Sequence, residues 1–319
     1  MPILLNKSAS AICEQMAREA ARLRILITTA SIGTRIIDCG VASPGGLEAG
    51  RLMAEVCLAG LGSVSFVPSS AELCPGLAVQ VHTDHPIEAC ICSQYAGWQV
   101  SAGKYFAMGS GPMRAIGSKE PLFEKIGHRE TSSMAVGVLE TGTIPPDDVC
   151  RQLAESCRIS ADRLTLLVAS TASQAGTVQV VARSVETALH KLLELGFDLR
   201  RVESGFGVAP LPPVSHDTMA AIGRTNDAIL YGGEVTLWVR GDDDSLEAIG
   251  PRVPSSASAD FGQPFAAIFA RAGGDFYQID PHLFSPASVL LCNLDTGNAF
   301  RFGQTHPRVI HESFGIRRG

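Results

Sequence analysis

The chain has 319 residues, 45% hydrophobic and 18% charged, enough to bury a sizeable core and too apolar for general disorder. That length favours two domains of ordinary size over one. A net charge of −6 with no phosphate-tracking Lys/Arg cluster argues against nucleic acid as the main partner, and the longest apolar runs, such as ASVLLC, fall far short of a membrane span.

The N-terminus lacks a basic start, a long apolar core and a small-residue cleavage site, so a cytoplasmic protein is expected. SASAICEQMAREAARL reads instead as an amphipathic helix capped near Ser8 or Ser10. LRILITTA and GTRIIDCG read as strands, and PGGLEAGRLMAEVCLAGLG as a helix flanked by glycines. VSFVP, MAVGVLE and LTLLVAS are further strands, and PPDDVCRQLAESC is a helix opening on Pro146, Asp147 and Asp148. A helix from Gln179 follows, then RRVESGFGVAP and DAILYGGEVTLWVRG, a helix at QPFAAIFARAG, and a hairpin of ASVLLCNL and NAFRFG turning on DTGN. ETGTIPPDD (140–148) and GDDDSLEAIGPRVPSSAS (241–258) read as loops. The alternation predicts an α/β class with mixed sheets.

The nine cysteines, Cys13, Cys39, Cys57, Cys74, Cys90, Cys92, Cys150, Cys157 and Cys292, include no CxxC pair. Neither a zinc ribbon nor a thioredoxin-type site is supported, and reduced, mostly buried thiols are expected.

QVVARSVETALHKL, Gln179 to Leu192, is predicted as one helix. Val178, Val181, Ala182, Val185, Leu189 and Leu192 then form a broad apolar face, and Gln179, Arg183, Glu186 and His190 a narrow polar stripe. By pattern alone the stripe is better read as a solvated outer face, whose Arg–Glu pair adds only ~0.2–0.5 kcal/mol. Two details point the other way. STASQAGT before it is a strand-to-helix loop of small hydroxyl residues, as used for ligand sites, and the ordinary exposed positions Lys191 and Glu194 lie off the stripe or at its margin.

HTDHP (82–86) carries zinc-ligand types, but His82 and His85 are three apart in an expected loop with no third ligand near. Hydroxyl and carboxylate capping of a helix beginning at Pro86 is preferred, and no metal is expected. GSGPMRAIG (109–117) offers a Gly-rich turn and Arg114, either an anion contact or a tight turn alone; it matches neither the dinucleotide fingerprint nor a Walker motif. ESGFGVAPLPP contains no GxSxG. In GRTNDAILYGG, Arg224, Asn226, Asp227 and Tyr231 either line a pocket or cap a helix.

Taken in order, IIDCG, EAGRLMAEVCLAGLG, TDHP, GSGPMRA, TASQAGTVQVVARSVETALHKL, SGFGVAPLPP, GRTNDAILYGG, PSSASADFG and IDPHLFSPA resemble the methenyltetrahydromethanopterin cyclohydrolases, from about Asn6 to Ser313. The resemblance implies two mixed α/β subdomains with a substrate cleft between them, in a cytoplasmic homo-oligomer, a dimer or trimer, that needs no metal or cofactor. It implies interconversion of 5,10-methenyltetrahydromethanopterin plus water and the N5-formyl form, in one-carbon metabolism. The family's catalytic R-x-x-E falls on ARSVE, so the resemblance makes Arg183 and Glu186 catalytic and reverses the reading of the stripe. Subdomains are expected at 1–145 and 146–319, with interleaving allowed. Ser93, Gln94, Ser173, Gln179, Asn226, Ser255 and Ser256 are expected to bind substrate, as uncharged groups suited to the pterin's amide-like edge, and Arg114 its anionic tail. CSQYAGW departs from the family in carrying Tyr95 where relatives have lysine, which fits a shorter pterin in a bacterial pathway. The competing classes are a non-catalytic pterin carrier and a zinc-dependent amidohydrolase using HTDH.

Overall fold

The computed structural model describes residues 3–117, 120–275 and 278–316. It begins with α1 (Leu5–Arg18), a short α2 (Ala20–Leu23), β1 (Leu26–Thr29), β2 (Arg35–Gly40) and α3 (Leu47–Cys57). Strands β3 (Gly62–Pro68) and β4 (Leu77–Thr83) lead into a π-helical segment, Ile87–Gln94, and the hairpin β5 (Trp98–Ala102) and β6 (Tyr105–Ser110). Next come α4 (Met113–Gly117), α5 (Leu122–Ile126), β7 (Ala135–Glu140), α6 (Asp147–Ser156), β8 (Leu164–Ala169), α7 (Gln174–Val181) and α8 (Ser184–Glu194). The last third holds β9 (Val202–Pro210), α9 (Thr218–Leu230), β10 (Glu234–Val239), α10 (Asp243–Ile249), α11 (Phe265–Arg271), β11 (Ser288–Asn293), β12 (Ala299–Gly303) and α12 (Pro307–Phe314). The class is α/β with two mixed sheets, as expected.

The chain divides into two compact units, Met1–Gly62 with Glu88–Gln179 and Ser63–Ile87 with Val180–Gly319. This differs from a single cut at 145/146. That cut falls between β7 and α6, inside a β–α–β crossover whose two strands, β7 and β8, are the middle pair of their sheet.

In the first unit the strand order is β1-β2-β8-β7-β6-β5, with β2, β8 and β7 parallel. Parallel strands covered on both faces need continuous apolar sequence, which IIDCG, LTLLVA and AVGVLE supply. α1, α3 and Ala175 of α7 pack on one face around Ile37, Leu167, Val136 and Val138; α6 packs on the other around Ile36, Leu166, Val168 and Leu139. The N-terminal helix starts at Leu5, ahead of the expected caps at Ser8 or Ser10, and has no side-chain cap of its own. Glu130, 124 residues away, takes that role: its carboxylate accepts the Asn6 N–H at 3.3 Å and the Asn6 amide at 3.1 Å. Local sequence carries no trace of a cap supplied from such a distance.

In the second unit the order is β12-β11-β10-β9-β4-β3, and α8 lies against β9, β10 and β4. The DTGN hairpin turn is present, with β11 and β12 antiparallel and Gly297 at φ 79°. Several segments depart from the sequence reading. LAVQVHT is strand β4, so His82 sits on a strand and not in a loop. The hairpin β5–β6 went unpredicted. The start of DAILYGGEVTLWVRG closes α9, and GDDDSLEAIG contains α10. All nine cysteines are free thiols, eight of them buried.

Candidate active site

The segment from Gln179 to Leu192 is two helices. Four β-branched residues among 177–181 weaken the end of α7, which stops at Val181. The Arg183 N–H turns back to the Val180 carbonyl at 3.1 Å, and Arg183 leaves the helical region with φ −92° and ψ 10°. Its carbonyl then accepts the Thr187 N–H at 2.9 Å, the first bond of α8. The stripe drawn on one continuous helix therefore does not exist.

What replaces it is more specific. Arg183 is the N-cap of α8 and Glu186 lies in its first turn, where unpaired N–H groups carry partial positive charge and a carboxylate belongs. Arg183 is 7% exposed and Glu186 4%, which overturns the solvated-face reading. α8 is held close to its sheet by glycines of SGFGV: Gly205 faces Val185, and Gly207 faces Ser184. At the other end, Lys191 is buried, not exposed as expected. Its ammonium donates to the His282 carbonyl, and burial pushes it down to about 8 against the opposing pull of Asp280. Glu194 is exposed, as expected.

Within the first unit, Ser93 and Gln94 end the π-helical segment, fully buried. The Ser93 hydroxyl donates to the Cys57 carbonyl at 2.6 Å. Arg114 is also fully buried. It pairs with Glu120 and donates to the Ile91 carbonyl at 2.9 Å, with the Tyr95 ring 5.0 Å from the guanidinium. These contacts make Arg114 an internal clamp in place of the expected open anion site, and they give Tyr95 a packing role. Ser173 caps α7, donating to the Ser170 carbonyl at 2.7 Å and accepting the Gly176 N–H at 3.0 Å. Gln179 is buried in α7.

Within the second unit, Asn226 donates to the Ile222 carbonyl of its own helix at 2.9 Å. Ser255 is buried on the Leu230 carbonyl, and Ser256 is exposed. Asp227 is a cap: it accepts the Phe265 N–H at 2.8 Å, at the start of α11. Thr83 accepts the His85 N–H at 3.0 Å just ahead of Pro86, whereas Asp84, expected to share in capping the helix that begins there, accepts instead from the Ser204 hydroxyl at 2.7 Å. Among the described residues no group of three or more His, Cys, Asp or Glu side chains converges as metal ligands. Among the described residues of this unit, pockets open of about 440 Å³ around Phe206, Val208 and Thr236 and about 360 Å³ around Asp260 and Arg271, and the described lining of these two includes neither Arg183 nor Glu186.

Sequence reading passed over the carboxyl ends of the parallel strands. Asp38, ending β2, gathers four backbone N–H groups, from Gly40, Val41, Ala42 and Ser43, at 2.7–3.0 Å, and so shapes its own loop. Glu140, ending β7, is half-buried and accepts from the Thr171 hydroxyl just beyond β8. A carboxylate closing the apolar run MAVGVLE was the available signal.

A family model described as cyclohydrolase (MCH) matches residues 4–314. Curated relatives named methenyltetrahydromethanopterin cyclohydrolase include that of Rhodopirellula baltica, 47% identical over 98% of this chain and 95% of the relative. That of Xanthobacter autotrophicus is 44% identical over 98% and 93%, and that of Methanococcoides burtonii 39% identical over 99% of each.

Proposed function

The chain belongs to the methenyltetrahydromethanopterin cyclohydrolase family, and we propose that Glu186 is its general base and Arg183 the cation that orients it. The reaction is hydrolysis of a cyclic amidine in one-carbon metabolism, interconverting the 5,10-methenyl and N5-formyl pterins. The bridging carbon, shared by two nitrogens, is amidinium-like and already electrophilic. Glu186 takes one proton as water oxygen bonds to that carbon and returns it to N10 as the carbon–N10 bond breaks. The remaining hydroxyl proton is released to solvent as the C=O forms, so the methenyl cation and water give the neutral N5-formyl pterin and one proton. Arg183 fixes the carboxylate by charge-assisted hydrogen bonding.

The observation that carries this reading is the placement of both residues in the buried N-terminal turn of α8. Glu186→Gln keeps the shape and removes the base; turnover should fall by about 10²–10⁴ with substrate binding largely kept. Activity within a few-fold of wild type would refute the assignment. Arg183→Ala should lower turnover, and a rise in KM alone would reduce Arg183 to a binding residue. A carrier would leave the methenyl chromophore intact, and a zinc amidohydrolase would lose activity to chelators.

The same reading includes no metal or cofactor, a homo-oligomer (dimer or trimer) and a cytoplasmic site of action. Family membership supports it, and no described helix is long and apolar enough to cross a membrane. Ser93, Gln94, Ser173, Gln179, Asn226, Ser255 and Ser256 remain its substrate-contact candidates. Of these, Ser256 is exposed and Ser173 and Asn226 half-buried, so they are the first to vary. Sedimentation of the purified protein tests the oligomer.

A further inference from the structure

We propose that Glu140 binds the 2-amino-4-oxopyrimidine edge of the pterin, accepting from its exocyclic amine and N3–H, with Thr171 as the positioning residue. This rests on the reading that the substrate is a pterin.

The first argument is topological. β7 and β8 are adjacent and parallel, but the helix after β7, α6, packs on one face of the sheet, and the helix after β8, α7, packs on the other. Adjacent strands whose following helices diverge leave a crevice at their carboxyl ends, the place where open α/β sheets bind ligands. Glu140 is the last residue of β7, and Thr171 lies two residues past β8.

Charge supplies the second argument. Among the described residues Glu140 forms no ion pair, and its hydrogen-bond partner is one neutral hydroxyl. A half-buried carboxylate so placed has acceptor capacity left over. Asp38, at the same edge, is the contrast, because its own loop saturates it. The third argument is rigidity. The Thr141 N–H donates to the Ala169 carbonyl at 3.0 Å, and the Ser170 N–H to the Gly40 carbonyl at 3.2 Å, so the three strand ends are tied together. A Cβ on Gly40 would stand 2.2 Å from the Ser173 hydroxyl, and one on Gly176 2.0 Å from the Ser170 carbonyl. The Thr171 hydroxyl is thus presented to Glu140 by a loop with no slack.

The pyrimidine edge of a pterin carries two parallel N–H donors, which match a carboxylate as a guanidinium does. Fluorescence titration with 6-hydroxymethylpterin and 6-hydroxymethyllumazine, in which an oxo group replaces the amine, tests the fit. Wild type should prefer the pterin by roughly 10–100-fold, because the lumazine sets an acceptor against the carboxylate. Glu140→Gln should lose most of that preference and raise KM for the methenyl substrate by a similar factor, with kcat within about threefold. Thr171→Val, which removes the hydroxyl at constant shape, should weaken pterin binding several-fold and serves if Glu140→Gln does not fold. Equal wild-type affinity for the two probes, an unchanged preference in Glu140→Gln, or an unchanged pterin affinity in Thr171→Val overturns the proposal. Pterin binding without turnover would instead refute the catalytic reading and leave this one standing.

Discussion

Replacing Gly205 by alanine should disable the enzyme through packing alone. A Cβ at Gly205 would lie 2.6 Å from Val185 Cγ1 and 3.4 Å from Leu237 Cδ2. Carbon–carbon contacts settle near 3.5–4.0 Å, so the first approach is about 1 Å too short. Val185 has little rotamer freedom in a helix, and α8 must then move off β9 by about that distance. The moving turn carries Arg183 and Glu186, two residues before and one after Val185. A 1 Å displacement of the pair proposed to be catalytic would cost up to ~10² in rate, and overpacking costs roughly 1–3 kcal/mol of stability. The backbone entropy gained on losing a strand glycine, about 0.5–1 kcal/mol, does not offset that. Turnover, read from loss of the methenyl chromophore, should fall at least tenfold, with a lower urea midpoint. Val185→Ala placed in the Gly205→Ala background should restore much of both. Gly207→Ala should be milder, since its Cβ meets the Ser184 hydroxyl at 2.4 Å and serine can change rotamer. Full activity and stability in Gly205→Ala would refute the argument that strand–helix contact positions the pair.

Two further outcomes follow from buried carboxyl groups. Burial pushes Asp227 up to about 7, with the Ser313 hydroxyl and the Phe265 N–H pulling the other way. The folded chain then holds a proton that the unfolded chain releases near pH 4, so this group's contribution to stability is full below pH 4 and is lost as pH rises to about 7. Asp227→Asn should abolish that loss, gaining roughly 1–4 kcal/mol over wild type at pH 8 compared with pH 4, measured by urea unfolding; a pH-independent difference would contradict it. Glu130→Ala removes the distant cap of α1 and should cost about 1–3 kcal/mol in the same assay, with hydrogen exchange rising first in residues 5–9. Unchanged protection there would mean that the helix start is held by packing.

The sequence by itself determined the class and the chemistry. Short apolar runs in IIDCG, AVGVLE and LTLLVA read as strands, which they are, and their parallel pairing fits burial on both faces. DTGN announced its hairpin, and the long segments shared with the cyclohydrolases carried the family. Hydrophobic period and turn chemistry are local properties, readable within a dozen residues. The tertiary structure decided everything that depends on distant partners. A helical wheel over Gln179–His190 assumed an unbroken axis, whereas the chain passes from one compact unit to the other at Gln179–Val180 and then breaks at Arg183. Lys191 looked solvated because lysine usually is, yet its amine sits on a carbonyl 91 residues away. Arg114 looked like an anion trap until Glu120 and two carbonyls claimed its guanidinium. Whether a charged side chain faces water or is paired inside depends on which remote backbone arrives beside it, and no local pattern encodes that arrival.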